Sequence, residues 1–319
     1  MAINQSLNQG QPAGGGTITT GSMPRLLQEG VKNVFGRKYS ERDTQWDKIL
    51  DKFDSRKNFE VGVQVEGFGL FAQKPQGEDI KFDTRRQGFT PKYIHVTYGK
   101  GFVATMEALQ DELYGEINAS AEALAFAARQ TEEQTGANIL NRGFDVASTM
   151  VDGDGSALFA VNHANGPSGG TYSNQLAIGA ALTEASLEDM TTQIRETKDP
   201  RGLVIGLMPR RLIAAPRNQF NATRILGSVL QNDTANNAVN ALREMNMLSD
   251  GHVINDYLTD PDAWFIKTNA PHGLKRYVRM AVEFGEDNAF TSGNGRFKAV
   301  GRWSDGWDDP RGMFGSSGS

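Results

Sequence analysis

Residues 102–141 read FVATMEALQDELYGEINASAEALAFAARQTEEQTGANILN, and the spacing of their apolar side chains sets the frame for the rest of the chain. Phe102, Met106, Leu109, Leu113, Ile117, Ala121, Leu124 and Ala128 follow one another in steps of three and four, which line up one stripe on an α-helix. No proline interrupts the run, and Ala and Glu fill many of the remaining positions. Only Gly115 opposes the helix, by about 1 kcal/mol relative to Ala. The pattern predicts a rod of roughly 35 residues, about 50 Å long at 1.5 Å per residue, enough to be the spine of a domain. Beyond Ala128 the stripe thins into Gln130, Thr131, Glu132, Glu133 and Gln134, a half that is either solvated or covered by a neighbouring subunit.

Just before the spine, EVGVQVEGFGLFAQ (60–73) and KYIHVTYGKGF (92–102) alternate apolar and polar residues with period two, joined by the turn-rich KPQGEDIKFDTRRQGFTP (74–91). The expectation is a long two-stranded hairpin. Its tip carries Lys74, Pro75, Gly77, Glu78, Asp79, Lys81, Asp83, Arg85 and Arg86, with few large apolar groups. An isolated hairpin is marginal in water, so lying across another subunit is the economical way to hold it. Lys74, Lys81, Arg85 and Arg86 are therefore candidate inter-subunit contacts. Earlier still, residues 1–22 (MAINQSLNQGQPAGGGTITTGS) offer almost nothing to bury and read as a flexible arm. Residues 23–59 turn to short amphipathic pieces, PRLLQEGVKNVFGRKY and then Trp46, Ile49, Leu50 and Phe53 at helical spacing. Two readings stand side by side: a sticky arm reaching for a partner through residues such as Trp46 and Phe53, or a local helix folded back on its own domain.

After the spine, residues 144–176 read as a strand between loops. Asp152-Gly-Asp154-Gly155 invites a calcium reading, but the twelfth position of such a loop is His163 instead of Glu and the ninth lacks an oxygen ligand, so the motif reads as a turn. Ser186-Leu-Glu-Asp189 has a capping-box pattern, with Leu187, Met190 and Ile194 on one face, and Asp199-Pro200-Arg201-Gly202 ends that helix. Strands LVIGL and RLIAAP, a helix around Gln219–Leu230, the Asn-rich NDTANNAVNALREMN and strands HVIND and AWFIKT follow, so helices and strands alternate over 183–282. The last segment holds a hairpin candidate turning at Gly293-Asn294-Gly295. Trp303 and Trp307 near the end suggest sugar stacking, although burial explains them better.

Composition narrows the function. The chain has 319 residues, 38% hydrophobic, with no run long enough to span a bilayer and no secretory signal, so cytoplasmic synthesis is expected. The sequons at Asn118, Asn221 and Asn232 are then chance matches. With no cysteine there are no disulfides, thiolate metal sites or cysteine nucleophiles. A net charge of −5 without a cationic block argues against gripping phosphates. The 36 glycines, spread along the whole chain, imply open loops and many turns. His95, His163, His252 and His272 never fall at metal-ligand spacing. No Gly-x-Ser-x-Gly elbow or phosphate loop is present, and Gly67-Phe-Gly69 lies in a strand with no helix after it. Glu112 and Glu116, one turn apart, fit a solvated helix face better than an acid–base pair. No catalytic residue, cofactor or metal is expected.

The order of arm, long hairpin, spine and compact α/β region resembles the major capsid protein of tailed bacteriophages, the Hong Kong ninety-seven fold, and is most similar to its Mu-type major head subunit family. The residues that carry the match are Ala137-Asn-Ile-Leu-Asn141, Asp154-Gly-Ser-Ala-Leu-Phe159 running to Asn162-His163, Ala181-Leu-Thr through Ser186-Leu-Glu, Met208-Pro-Arg-Arg-Leu-Ile-Ala-Ala-Pro216, and Tyr257-Leu-Thr-Asp-Pro-Asp-Ala-Trp-Phe265. The resemblance implies an α+β chain with an amino-terminal arm (1–45), the start of a peripheral domain (46–61), an extended hairpin loop (62–100), the peripheral domain with the spine (101–182), an α/β axial domain (183–282) and return strands (283–319). It implies a structural subunit that self-assembles into pentamers and hexamers of an icosahedral shell around double-stranded DNA, without sequence-specific binding. The expected location is the virion, after synthesis in the bacterial cytoplasm. Because the chain opens on a short Gly-rich arm, a separate scaffolding protein is expected, with a portal and decoration proteins as further partners. Lys74 and Lys81 lie where some relatives cross-link, but surface lysines explain both. An encapsulin-like cellular container and a glycan-binding decoration module built on Trp303 and Trp307 are the alternatives.

Overall fold

The computed structural model describes residues 24–111, 114–166, 169–230, 239–271, 273–289 and 291–318. The expected flexible arm at 1–22, Glu112, Leu113, residues 231–238 of the Asn-rich stretch and His272 lie outside the described residues. The chain opens with helices α1 (Pro24–Ser40) and α2 (Trp46–Ile49) and strands β1 (Asp51–Asp54) and β2 (Phe59–Val61). After the hairpin come β3 (Lys92–Ile94), β4 (Val96–Ala104), the short helix α3 (Met106–Gln110) and the spine α4 (Tyr114–Asn141). Next are β5 (His163–Ala164), β6 (Thr171–Tyr172), α5 (Glu184–Glu196), β7 (Pro209–Ala214), α6 (Gln219–Gly227) and α7 (Ala241–Glu244). Strands β8 (His252–Ile254), β9 (Trp264–Thr268), β10 (Leu274–Asn288), β11 (Gly295–Trp307) and β12 (Met313–Ser316) complete it.

The spine is shorter than expected. Phe102 belongs to β4, which pairs with β11 from Val96↔Trp303 to Ala104↔Gly295. The Thr105 side chain then caps α3 by accepting from the Ala108 amide at 3.2 Å. That leaves a 28-residue α4, about 42 Å long. Ile117, Ala121 and Leu124 of its stripe are buried as the periodicity requires, with Ala125 beside them. They meet Val31 and Phe35 of α1 on one side and Phe297 and Ala299 of β11 on the other. Of the two readings of the amino-terminal helix, the one folded back on its own domain is correct.

Two four-stranded sheets flank the spine, in the orders β1-β10-β11-β4 and β12-β9-β7-β8. In the second, alternation sorts the side chains onto two faces. Leu212, Ala214, Trp264, Ile266 and Phe314 face Leu187, Met190, Ile194, Ala222 and Ile225 of α5 and α6. Ile213, Phe265 and Met313 face Leu140 at the end of the spine, together with Trp46, Ile49 and Leu50. This sheet is thus buried on both sides and locks α5 and α6 to the end of the spine. The expected axial boundary at 282 falls inside β10, whose residues pair along β11 into the turn at Gly293, where φ is +69°. The carboxy-terminal residues do not stay in one sheet: β11 belongs to the first and β12 returns to the second, beside β9.

Helix α5 starts at Glu184, two residues before the expected Ser186. Thr183 is the N-cap, its hydroxyl accepting from the Ser186 amide at 3.1 Å, and the Ser186 hydroxyl accepts in return from the Thr183 amide at 2.9 Å. Ser186 also donates to the Ala181 carbonyl at 2.8 Å, which binds the incoming chain as well as the helix. Thr183→Ala is expected to lower the unfolding free energy by about 1 kcal/mol in a urea titration; an unchanged midpoint would mean that Ser186 alone starts the helix. The expected strand LVIGL forms only a single bridge, Val204 to Lys198.

Candidate assembly surfaces

The hairpin is a ladder only at its root. Beyond β2 and β3 the amides of Gly62, Gln64 and Glu66 donate to the carbonyls of Pro91, Phe89 and Arg86 at 2.8–3.0 Å, and Val65 pairs with Gln87. Outward of Gly67 no strand is assigned, and the tip turns at Pro75–Glu78 with Gly77 at φ +85°. Asp308 anchors the root. Its buried carboxylate accepts from Tyr93 Oη at 2.7 Å and Lys275 Nζ at 2.5 Å, while its carbonyl accepts from Gln64 Nε2 at 2.7 Å. Gly62 lies directly on that carboxylate, where any Cβ would collide with it.

His95, between β3 and β4, is buried beside the root. Its Nε2 lies 3.0 Å from Ser55 Oγ and its Nδ1 2.9 Å from Ser304 Oγ, and Ser55 donates to Glu60 Oε1 at 2.8 Å. Burial, with Arg302 nearby, pushes the His95 pKa down, so the ring is held neutral.

Farther out, one arginine in the turn after α5 grips the hairpin. Arg201 Nη1 pairs with the Asp83 carboxylate and Nη2 donates to the Thr84 carbonyl at 2.8 Å. Asp83 also accepts from the amide of Gly69 on the opposite arm at 2.9 Å, so one carboxylate ties both arms to Arg201. The Gly69 amide, then Arg201 and the Thr84 amide, hold its carboxyl at about 2 against an ordinary 3.8. The folded form therefore favours the carboxylate; the clamp is at full strength above about pH 4 and is lost as pH falls toward 2. An NMR titration of Asp83 should show a midpoint near 2 that returns toward 3.8 in Arg201→Ala; an unmoved midpoint would remove Arg201 from the clamp.

The tip is more apolar than expected. Phe68, Leu70, Ile80 and Phe82 are exposed, Phe82 to 95%, and Phe71 is 99% exposed. Phe68, Leu70 and Phe71 lie on one arm and Ile80 and Phe82 on the other, the arms joined by the Gly69 amide on Asp83, so the tip presents an exposed apolar face. Lys74, Lys81, Arg85 and Arg86 are exposed around this face, and the Arg86 carbonyl is part of the ladder. Phe53 is half-exposed on β1, with Tyr277 at 5.6 Å and Lys275 at 5.3 Å.

Trp46, expected to meet a neighbour, is buried within its own chain. Its amide and that of Gln45 donate to the Glu133 carboxylate at 2.9 and 3.1 Å, and its ring lies 4.2 Å from the Arg276 guanidinium. Gly136 lets it approach the spine, since a Cβ there would stand 2.7 Å from Trp46 Cβ. In the polar half of the spine, Glu133 is thus covered by residues 45–46 of the same chain, whereas Gln134 is exposed and Gln130 and Thr131 are partly so. Burial raises the Glu133 carboxyl above its usual range, against the pull of the two amides.

The family model described as phage capsid protein matches residues 90–315. The chain belongs to the phage capsid protein family. Among solved structures it is similar to the virus-like particle from Pyrococcus furiosus, at 13% identity over 90% of this chain and 98% of that one, with a TM-score of 0.51. It is also similar to a structure of Mycobacterium phage Patience, at 12% identity over 91% and 86% of the two chains, with a TM-score of 0.53. These likenesses show the fold, the one the sequence resemblance implied. No curated protein matches the chain. Family membership makes this a structural protein of the phage capsid, and the encapsulin-like alternative is not favoured.

The remaining candidate features of this capsid protein are accounted for by its own packing. Trp303 is buried, stacked 4.5 Å from Tyr98, with Nε1 donating to Thr135 Oγ1 at 3.1 Å, and Trp307 is buried beside Leu274. Neither ring is open to a sugar. The Asp152–Gly155 stretch is a turn with Asp152 at φ +59°, and Asp154 is committed to the Ser156 amide at 3.1 Å and His163 Nδ1 at 2.5 Å. Among the described residues no cluster of three or more His, Asp or Glu is placed to hold a metal ion, and no helix is long and apolar enough to cross a membrane. Glu116 is exposed on the spine.

Proposed function

We propose that this capsid protein is the major head subunit, whose pentamers and hexamers close around the axial region and whose hairpin lies across a second copy. One observation carries the reading: a hairpin tip whose large apolar side chains Phe68, Leu70, Phe71, Ile80 and Phe82 are left exposed by the described residues of its own chain. Heterologous contacts of that kind, repeated around closed rings, supply the missing burial. Lys74, Lys81, Arg85, Arg86 and Phe53 sit at the rim of that contact. The shell encloses double-stranded DNA without reading its sequence; an overall charge of −5 suits a container that must release its contents. Synthesis takes place in the host cytoplasm, with a separate scaffolding protein setting curvature and a portal and decoration proteins completing the head.

Sedimentation and negative-stain microscopy test the reading. Closed shells of one diameter are expected with the scaffolding protein present, and irregular assemblies without it. A chain that stays monomeric at high concentration under both conditions would overturn the assembly reading, and tight, salt-sensitive DNA binding by assembled shells would overturn the container reading.

A further inference from the structure

Lys275 stands at the start of strand β10 and Asp308 directly follows strand β11, and the register of the two strands, Leu274↔Trp307 and Lys275↔Gly306, brings both to the base of one hairpin. Lys275 Nζ lies 2.5 Å from Asp308 Oδ2, with the two side chains only 9% and 2% exposed. In each of the other lysine–carboxylate pairs among the described residues, Lys38–Glu41, Lys48–Asp47, Lys57–Glu60 and Lys267–Asp51, one partner is nearly half-exposed or more. Water screens those pairs and is shut out of this one. An ion pair this deep must offset the cost of drying both charges.

The walls of the site are aromatic. The Phe53 ring lies 5.3 Å from Lys275 Nζ, Tyr277 lies 5.6 Å from Phe53, and Tyr93 packs edge-on against Tyr277 at 4.8 Å. Gly62 backs onto the carboxylate from the hairpin root, with no space there for a Cβ. Tyr93 Oη donates at 2.7 Å to Oδ1, the oxygen that Lys275 does not hold. Burial and the charge of Asp308 push the Tyr93 phenol far above its ordinary range, so it keeps the proton that it donates. The carboxyl carbon lies one bond of about 1.23 Å behind Oδ2, so Nζ stands no farther than about 3.7 Å from it, close to the roughly 3–3.5 Å of a near-attack arrangement. An amine beside a carboxyl carbon, a hydrogen-bond donor on the other oxygen and a site that excludes water are the parts of an amide-forming centre. The exposed Lys74 and Lys81 have no such enclosure.

We propose that Lys275 and Asp308 join in an isopeptide bond within the folded chain, with Tyr93 as the catalytic residue. The ammonium passes one proton to Oδ2, the Nζ lone pair attacks the carboxyl carbon, and Tyr93 holds the negative charge that develops on Oδ1. A second proton moves from the nitrogen to Oδ2, the bond from carbon to Oδ2 breaks, and Oδ2 leaves as water; no oxidant or cofactor takes part. The amide removes two buried charges, keeps Oδ1 as the acceptor for Tyr93 and closes a covalent ring of residues 275–308 at the root of the extended hairpin.

Mass spectrometry of the intact, unassembled chain tests the bond. The expected mass is one water below that of the sequence, and a protease digest is expected to hold a branched peptide joining Lys275 to Asp308. The full sequence mass with the two residues in separate peptides, or a water lost elsewhere in the chain, would overturn the proposal and leave an ion pair only. Tyr93→Phe keeps the ring and removes the donor. In a pulse-labelled time course the folded variant is expected to form the branched peptide roughly a hundredfold more slowly, and formation at the unaltered rate would overturn the role of Tyr93.

Discussion

Arg276→Ala is expected to lower the unfolding free energy of the subunit by roughly 3–5 kcal/mol. Arg276 is 1% exposed and grips Asp305 with two bonds, Nε to Oδ1 at 2.6 Å and Nη2 to Oδ2 at 2.7 Å. Its Nη2 also donates to the Glu132 carbonyl and to Thr135 Oγ1, both at 3.0 Å, so it ties the sheet to the spine. The guanidinium lies between Trp46 at 4.2 Å and Trp303 at 5.7 Å. Burial already raises the Asp305 carboxyl against the pull of Arg276. Without the arginine, that carboxylate would be left buried and unpaired, or would take up a proton at a cost in stability. Lysine should not rescue, because a single ammonium cannot make the bidentate pair and lie flat between the two indoles. The double variant Arg276→Met with Asp305→Leu should recover most of the loss, since replacing both charges removes the unpaired group. Urea titration of the unassembled subunit decides it: a loss below about 1 kcal/mol for the alanine variant would show that the pair is dispensable.

Leu70→Asp with Phe82→Asp should do the opposite, leaving the subunit intact and abolishing the shell. Both side chains are more than 80% exposed, so the unfolding free energy should move by less than about 0.5 kcal/mol. In the assembled state each large apolar side chain contributes roughly 1.5–3 kcal/mol when buried, and a carboxylate in its place adds the cost of desolvating a charge. Losing two such contacts at every junction of a closed shell removes several kcal/mol per junction. Sedimentation velocity should show only small oligomers under conditions where the unaltered chain forms shells. Shells at normal yield would place the hairpin's apolar face outside the assembly.

The same contrast, local against distant, explains what could be read from the residues alone. The spine's buried stripe at Ile117, Ala121 and Leu124, the strands around Tyr93–Phe102 and the return hairpin at Gly293 were legible because each is written in consecutive residues, whereas the period-two run at 60–73 pairs only at its root. Phe102 misled because the end of β4 runs straight into the capped helix α3, so an inward-facing strand residue stands four positions before Met106, as the next residue of a helical stripe would. The start of α5 was displaced because Thr183 and Ser186 can each cap a helix, and the choice depends on the reciprocal bonds between them. The hairpin's apolar face was overlooked because the charges at its tip crowd the same short stretch as Leu70, Ile80 and Phe82.

By itself the sequence determined most of the order of helices, strands and turns, since backbone periodicity and turn chemistry act over a few residues, and its motifs carried the resemblance to the capsid family. Only the tertiary structure decided which polar and aromatic side chains are buried. Trp46 meets Glu133, 87 positions away, and Arg201 meets Asp83, 118 positions away. Burial of a charge or an indole depends on what packs across from it, and nothing in the neighbouring residues encodes that partner.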